Sequence, residues 1–268
     1  MQSSQLVIKG SDTEVNLMAL LAEAYWRENP NSRISVSGGG SGVGIVALLN
    51  GRADVANSSR PMNEKERALF REYGVACDTV IFAEDAIAII VHADNSVDSL
   101  TLEQLGQIFS GQQRNWQPFN GKDELINIYG RPSNSGTHGW LQKKLGIKFS
   151  KHALEMNGNA QIIEAVKIDK NSIGYVSAGY VLKNGKQTDD GFKILRLALA
   201  TGQPAYTPAD KRAIEQEKYP LLRPLYQYIR RESLSQARAF LNFINTPRGE
   251  EILMANGYFP VKYDLSQR

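Results

Sequence analysis

Along the N-terminal part of the chain, short apolar runs of β character alternate with stretches of helical period. Leu6 to Lys9 is followed by Glu14 to Arg27, Arg33 to Ser37 by Gly44 to Leu49, and Asp54 to Asn57 by Asn63 to Tyr73. This rhythm predicts βα units around a parallel sheet. In the first helix Val15, Leu17, Met18, Leu21, Ala22 and Tyr25 form a broad apolar stripe, which leaves Glu14, Glu23, Arg27 and Glu28 for solvent. Val80 to Val91 reads as a strand longer than usual, interrupted by Glu84-Asp85 as where a chain leaves one sheet for another. Helical patterns at Leu100 to Phe109 and Ala160 to Lys167, strands at Leu125 to Tyr129 and Ile173 to Val176, and a βα unit over Ile128 to Leu145 renew the alternation. Tyr219 to Ile229 reads as a second extended crossing. Helices at Ser233 to Asn245 and Pro247 to Asn256 follow it, the latter with Pro at its start and Gly257 just past its end.

These patterns predict an α/β protein of two lobes joined by a two-strand hinge, residues 1–86 with 224–268 forming one lobe and 87–223 the other. The hinge is expected near Asp85 to Ala88 and Pro224 to Tyr228. Composition fits: 268 residues, 42% hydrophobic and 22% charged, can bury a core in each lobe. A net charge of +3, without a basic stripe, argues against nucleic acid as partner. Cys77 is alone, which excludes an intrachain disulfide and a cysteine-based zinc site, and His92, His138 and His152 have no ligand spacing. No metal or other cofactor is expected. The Ala86 to Val91 run is far shorter than the roughly 20 residues of a membrane span. Met1-Gln2-Ser3-Ser4-Gln5 lacks the basic and apolar regions of a signal peptide.

The candidate chemistry lies in turns that follow strands, where open α/β sheets bind ligands. Gly10-Ser11-Asp12-Thr13 combines hydroxyls with the unpaired amides of a helix start, an arrangement suited to an oxyanion. Taken alone, the simpler reading is that Ser11 caps the helix, with Glu14 completing a capping box. Ser37-Gly38-Gly39-Gly40-Ser41-Gly42-Val43-Gly44 is less common, since ordering so many glycines costs backbone entropy and bare amides near a ligand offset it. No Lys-Ser or Lys-Thr follows to make a Walker A loop, the nucleophile-elbow spacing fails, and the loose dinucleotide fingerprint from Gly42 to Ala47 stands alone. Arg131-Pro132-Ser133-Asn134-Ser135-Gly136-Thr137 adds a forked cation and short donors at another helix start. Asn57-Ser58-Ser59-Arg60 supplies further hydroxyls and a cation, Arg60 being either a ligand or a surface charge. A hydrolase built on Ser135 and His138 has no orienting carboxylate in sequence, and His138 is expected to face solvent. Trp26, Trp116, Trp140, Tyr175 and Tyr180 are expected in the core or between lobes.

In Gly-Ser-Asp-Thr at 10 to 13, Ser-Gly-Gly-Gly-Ser-Gly at 37 to 42, Asp54 to Pro61, Arg-x-x-x-Ser-Gly-Thr at 131 to 137, Ile-Gly-Tyr-Val at 173 to 176 and Gly-Tyr-Phe-Pro-Val at 257 to 261, the chain resembles the phosphate-binding receptors of bacterial phosphate ABC transporters. The resemblance implies a type II periplasmic-binding fold that closes on inorganic phosphate in its cleft and is not an enzyme. It carries binding positions onto Ser11, Thr13, Ser41, Arg131, Ser135, Gly136 and Thr137; Asp12, Gly42, Ser59 and Arg60 from the same loops complete the candidate set. It also implies a permease of the transporter as membrane partner, a monomeric receptor, and a periplasmic or extracellular location after removal of a leader. One departure stands out. Members of the family place an Asp, which accepts the proton of hydrogen phosphate, where this chain has Ser59, so Asp12 or Asp54 is expected to substitute, or a hydroxyl or carbonyl to take the proton. Sulfate, molybdate or tungstate binding and a phosphate-sensing role are the alternatives.

Overall fold

A computed structural model describes residues 5–265; the opening Met1 to Ser4, on which the leader expectation rests, lies outside the described residues. From the N-terminus the chain runs β1 (Leu6–Gly10), α1 (Asp12–Glu28), β2 (Ile34–Ser37), α2 (Ser41–Leu49), β3 (Val55–Ser58), α3 (Glu64–Glu72) and the long strand β4 (Cys77–His92). It continues through β5 (Ser99–Thr101), α4 (Leu102–Ser110), β6 (Asn127–Gly130), α5 (Gly136–Leu145), β7 (Leu154–Glu155), α6 (Asn159–Ile168) and β8 (Ser172–Ser177). Four short strands follow, β9 (Leu182–Lys183), β10 (Lys186–Gln187), β11 (Phe192–Ile194) and β12 (Arg196–Ala198), then α7 (Lys211–Glu215). The last elements are β13 (Leu222–Arg230), α8 (Leu234–Ile244), α9 (Pro247–Ala255) and β14 (Tyr258–Pro260). Two compact units result: Met1–Glu84 with Asn134–Gly136 and Pro224–Arg268, and Asp85–Ser133 with Thr137–Arg223.

In the first unit β2, β1 and β3 are parallel, and β13 lies antiparallel to β3 with Tyr226 opposite Ser58 and Ile229 opposite Val55. Because side chains alternate along a strand, successive residues feed different cores. Val55 and Ile229 join Leu6, Ile8, the α1 residues Leu17, Met18 and Leu21, and the α8 residues Phe240 and Leu241 on one face. Their neighbours Ala56 and Tyr228 pack with Ile45 and Leu48 of α2 and Phe70 of α3 on the other. Helices therefore cover both faces, and the turns at the C-terminal ends of β1, β2 and β3 are the sheet's open edge.

The second unit is built on β4 from Asp85 onward. Ile87 to Val91 pairs antiparallel with β8, β8 is parallel to β6, β6 to β7, and β11 adds an antiparallel strand to β4. Ile87, Ala88, Ile89, Ile90 and Val91 are all fully buried, which accounts for an apolar run without alternation. A capping box of Thr101 and Gln104 starts α4. The first and last residues of the unit's chain, Asp85 and Arg223, form a fully buried ion pair, Arg223 Nε and Nη2 donating to Asp85 Oδ2 at 3.0 and 2.7 Å. Ser177 Oγ donates to Asp85 Oδ1 at 2.6 Å, so the second carboxylate oxygen is hydrogen-bonded too.

Several expectations need revision. Glu14, assigned to solvent, is fully buried in α1. Helix α2 starts at Ser41 rather than Gly44, because the glycines at 42 and 44 are helical. Trp26 is 53% exposed, whereas Trp116 and Tyr175 are buried. Strands of two or three residues, β5, β7, β9 to β12 and β14, are too short for a periodicity to register.

Candidate functional site

In the first unit the three strand-end turns converge. β1 and β3 are in register with Gly10 opposite Asn57, and a Cβ on Gly10, whose φ is +139°, would stand 2.2 Å from the Asn57 carbonyl oxygen. Ser11 N–H donates to that carbonyl at 2.9 Å, and Gly40 N–H donates to Gly10 O at 2.9 Å. Gly44 lets α2 approach β1, since a Cβ there would lie 2.5 Å from Gly10 Cα and 2.6 Å from Lys9 O. The result is a nest of buried hydroxyls: Ser59 N–H donates to Ser41 Oγ at 3.0 Å, and the Ser11 and Ser59 hydroxyls share a hydrogen bond. Ser11, Ser41 and Ser59 are at most 3% exposed. Neither Ser11 before α1 nor Gly40 before α2 makes a side-chain cap, so the first-turn amides of both helices take no side-chain oxygen from their N-cap residue. Thr13 is buried in the first turn of α1, its carbonyl accepting from the Tyr258 hydroxyl at 2.7 Å, and Asp12 beside it is half-buried.

The segment Asn134–Gly136 belongs to this unit. Gly42 N–H donates to Asn134 O at 3.1 Å. A Cβ on Gly136 would fall 2.1 Å from Ser41 Oγ and 3.1 Å from Ser59 Cβ, so glycine is needed at this approach. Ser135 is buried.

The second unit holds Arg131 and Thr137, each 2% exposed. Arg131 follows the last residue of β6. Its N–H donates to the Tyr175 hydroxyl at 2.8 Å and its Nη2 to Asn157 O at 2.8 Å, while Asn157 N–H donates to Gln161 Oε1 at 2.8 Å. A backbone carbonyl thus holds one arm of the buried guanidinium, a forked cation of the kind that suits a tetrahedral anion. Each unit therefore presents donors of the kind that hold a dehydrated oxyanion: hydroxyls and helix-start amides in one, a fixed cation and a threonine hydroxyl in the other.

Residues 2–248 match the family model described as a PBP superfamily domain. The phosphate-binding protein PstS of Pseudomonas aeruginosa is 30% identical over 285 aligned residues, covering 99% of this chain and 86% of the relative. The chain belongs to the PstS family of the PBP superfamily. PstS of Staphylococcus saprophyticus is 28% identical over 88% of this chain and 73% of its own length. Among solved structures, a phosphate ABC transporter substrate-binding protein of Clostridium perfringens with bound phosphate superposes with a TM-score of 0.84 and 27% identity, covering 97% of this chain and 100% of that one. An ABC-type phosphate transport receptor of Vibrio cholerae gives 0.73 and 27%, over 96% and 100%. The fold is the type II periplasmic-binding fold of these relatives.

Within this PstS-family frame, individual candidates separate. Ser11 is no helix cap: its hydroxyl is engaged with Ser59, and the buried Glu14 forms no capping box with it. Arg60 is committed elsewhere, its Nη1 and Nη2 each donating to the Glu66 carboxylate at 2.7 Å and Nη1 also to Pro61 O at 3.0 Å. Asp54 does not replace the missing carboxylate, because it sits before β3, accepting from Val7 N–H at 2.8 Å and from Ser233 Oγ at 2.6 Å. His138 is half-buried rather than open to solvent; its ring lies 4.4 Å from that of Phe149, and burial pushes its pKa below the ordinary value. Among the described residues no group of His, Cys, Asp and Glu is placed to hold a metal ion. Sequence reasoning missed the parts that Tyr175 and Asn157 play beside Arg131. A buried tyrosine seeks a partner for its hydroxyl, and that is the signal Ile-Gly-Tyr-Val carried.

Proposed function

We propose that this PstS-family chain is an extracytoplasmic receptor that binds inorganic phosphate and hands it to an ABC transporter permease, as a monomer and without chemistry on the ligand. The observation that carries the reading is the buried hydroxyl nest of Ser11, Ser41 and Ser59 at two helix starts lacking side-chain caps, in a chain whose C. perfringens relative has phosphate bound. Ser11, Thr13, Ser41, Ser59, Arg131, Ser135, Gly136 and Thr137 are the proposed ligands, with Asp12 at their edge; Gly42, whose N–H goes to Asn134 O, serves by holding the 134–136 segment, and Arg60 by holding Glu66 and the start of α3. No described helix is long and apolar enough to cross a membrane.

Charge-assisted hydrogen bonds contribute about 1.5–3 kcal/mol each, and a micromolar ligand needs about 8 kcal/mol, so a few such contacts suffice. Hydroxyls both donate and accept. Ser59 can thus accept a hydrogen bond from the hydroxyl of hydrogen phosphate, but repels a fully ionised tetrahedral anion less than a carboxylate would. That favours sulfate as the second reading. Isothermal titration calorimetry on anion-stripped protein, with phosphate and then sulfate, tests both. One-to-one phosphate binding with weaker sulfate binding is expected; silence toward phosphate would sink the receptor reading.

A further inference from the structure

Arg131 is the cation of the proposed phosphate set; one residue outside that set holds its main-chain N–H, and a second stands against the first. Strand β6 ends at Gly130, so the Arg131 N–H leaves the ladder and, being buried, needs another acceptor. The Tyr175 hydroxyl is that acceptor, at 2.8 Å. His138 Nδ1 stands 3.4 Å from the same hydroxyl. The phenol has little freedom. The Phe149 ring packs on it at 5.5 Å and Phe109 meets it edge-on at 5.5 Å, while a Cβ on Gly130 would already lie 3.3 Å from its hydroxyl. Phe149 also stacks on His138 at 4.4 Å, so one aromatic cluster orients both partners.

We propose that Tyr175 and His138 are positioning residues that fix the Arg131 peptide, and through it aim the guanidinium at the anion. The proposal deepens the phosphate reading and rests on it. Without the phenol oxygen the buried N–H lacks its acceptor, and the peptide relieves this by rotating, which swings the guanidinium off a geometry that its bond to Asn157 O alone does not set. A forked donor suffers more from such a rotation than a point charge would.

The test is a phosphate titration of the anion-stripped full chain and its variants, each with a melting curve. Tyr175→Phe and His138→Phe keep the rings and are each expected to weaken phosphate about tenfold, and His138→Asn, which restores a polar partner, to regain part of what His138→Phe loses. The decisive arm is a double-mutant cycle with Arg131→Lys, which keeps a charge but has no fork. Tyr175→Phe should weaken phosphate no further in that background, because there is no fork left to aim. Wild-type affinity in Tyr175→Phe, or a loss that adds fully to that of Arg131→Lys, overturns the positioning role. If Tyr175→Phe does not fold, the His138 pair in the same cycle decides the question in the same way. Phosphate silence in the wild type overturns the receptor reading beneath it and is told apart by that titration alone.

Discussion

Two helix starts in the first unit carry the same signature and do opposite things. Ser11-Asp12-Thr13-Glu14 and Asn63-Glu64-Lys65-Glu66 both read as capping boxes. Before α3 the box forms: Asn63 Oδ1 accepts from Glu66 N–H at 2.9 Å, and Glu66 Oε2 from Asn63 N–H at 2.8 Å. Before α1 it does not, because the end of β3 brings the Ser59 hydroxyl to Ser11 and the core takes Glu14. A cap is thus a default that a helix start adopts when no other group competes for its N-cap side chain. At α1 the competitor comes from 48 residues away, beyond the reach of a local pattern.

The largest effect is expected at Gly44, which lets the hydroxyl nest beside α1 close. Gly44→Ala sets a Cβ against the backbone of Lys9 and Gly10, and is expected to cost about 3 kcal/mol in denaturant unfolding and to weaken phosphate by displacing α2. Next comes a dissociation between the two starts. Ser11→Ala is expected to weaken phosphate about tenfold in calorimetry with a small change in melting temperature. Asn63→Ala should leave phosphate affinity unchanged and cost about 1 kcal/mol of stability. Equal effects of the two on affinity would erase the distinction. The smallest effect is in pH. Burial lowers the pKa of His138, so the unfolded chain takes up that proton first as pH falls from about 6.5. The contribution is fully present above that value and is lost as pH falls through the folded one. Unfolding free energy should therefore drop less steeply between pH 7 and 5 in His138→Asn than in the wild type.

What was legible in the sequence follows the same division. Elements whose burial is periodic, such as β1, α1 and α4, could be read because each residue's fate depends on its near neighbours. The glycine-rich loop announced itself by composition, and Gly44 has its physical reason in the 2.5 Å approach to β1. Arg60 could not be assigned, because Glu66 is six residues on, outside the spacing at which helix neighbours pair, and a loop lies between. Tyr175 read as core or lobe interface, and it is fully buried in the second unit; that its hydroxyl takes the Arg131 N–H depends on β6 and β8 being adjacent, a fact of topology.

The Asp85–Arg223 pair bears on how such a chain assembles. The second unit begins and ends within one ion pair, so it is an insertion whose ends meet when it folds. Closing a flexible loop of that length costs on the order of 4 kcal/mol of chain entropy. For β13 to pair with β3 in the first unit, Tyr226 must find Ser58 across that whole insertion. If the inserted unit folds first, the closure is already made, and the late pairing becomes a nearly local event. The order of events that minimises the search is then inside before outside, with the N-terminal strands waiting for a partner synthesised only after the insertion.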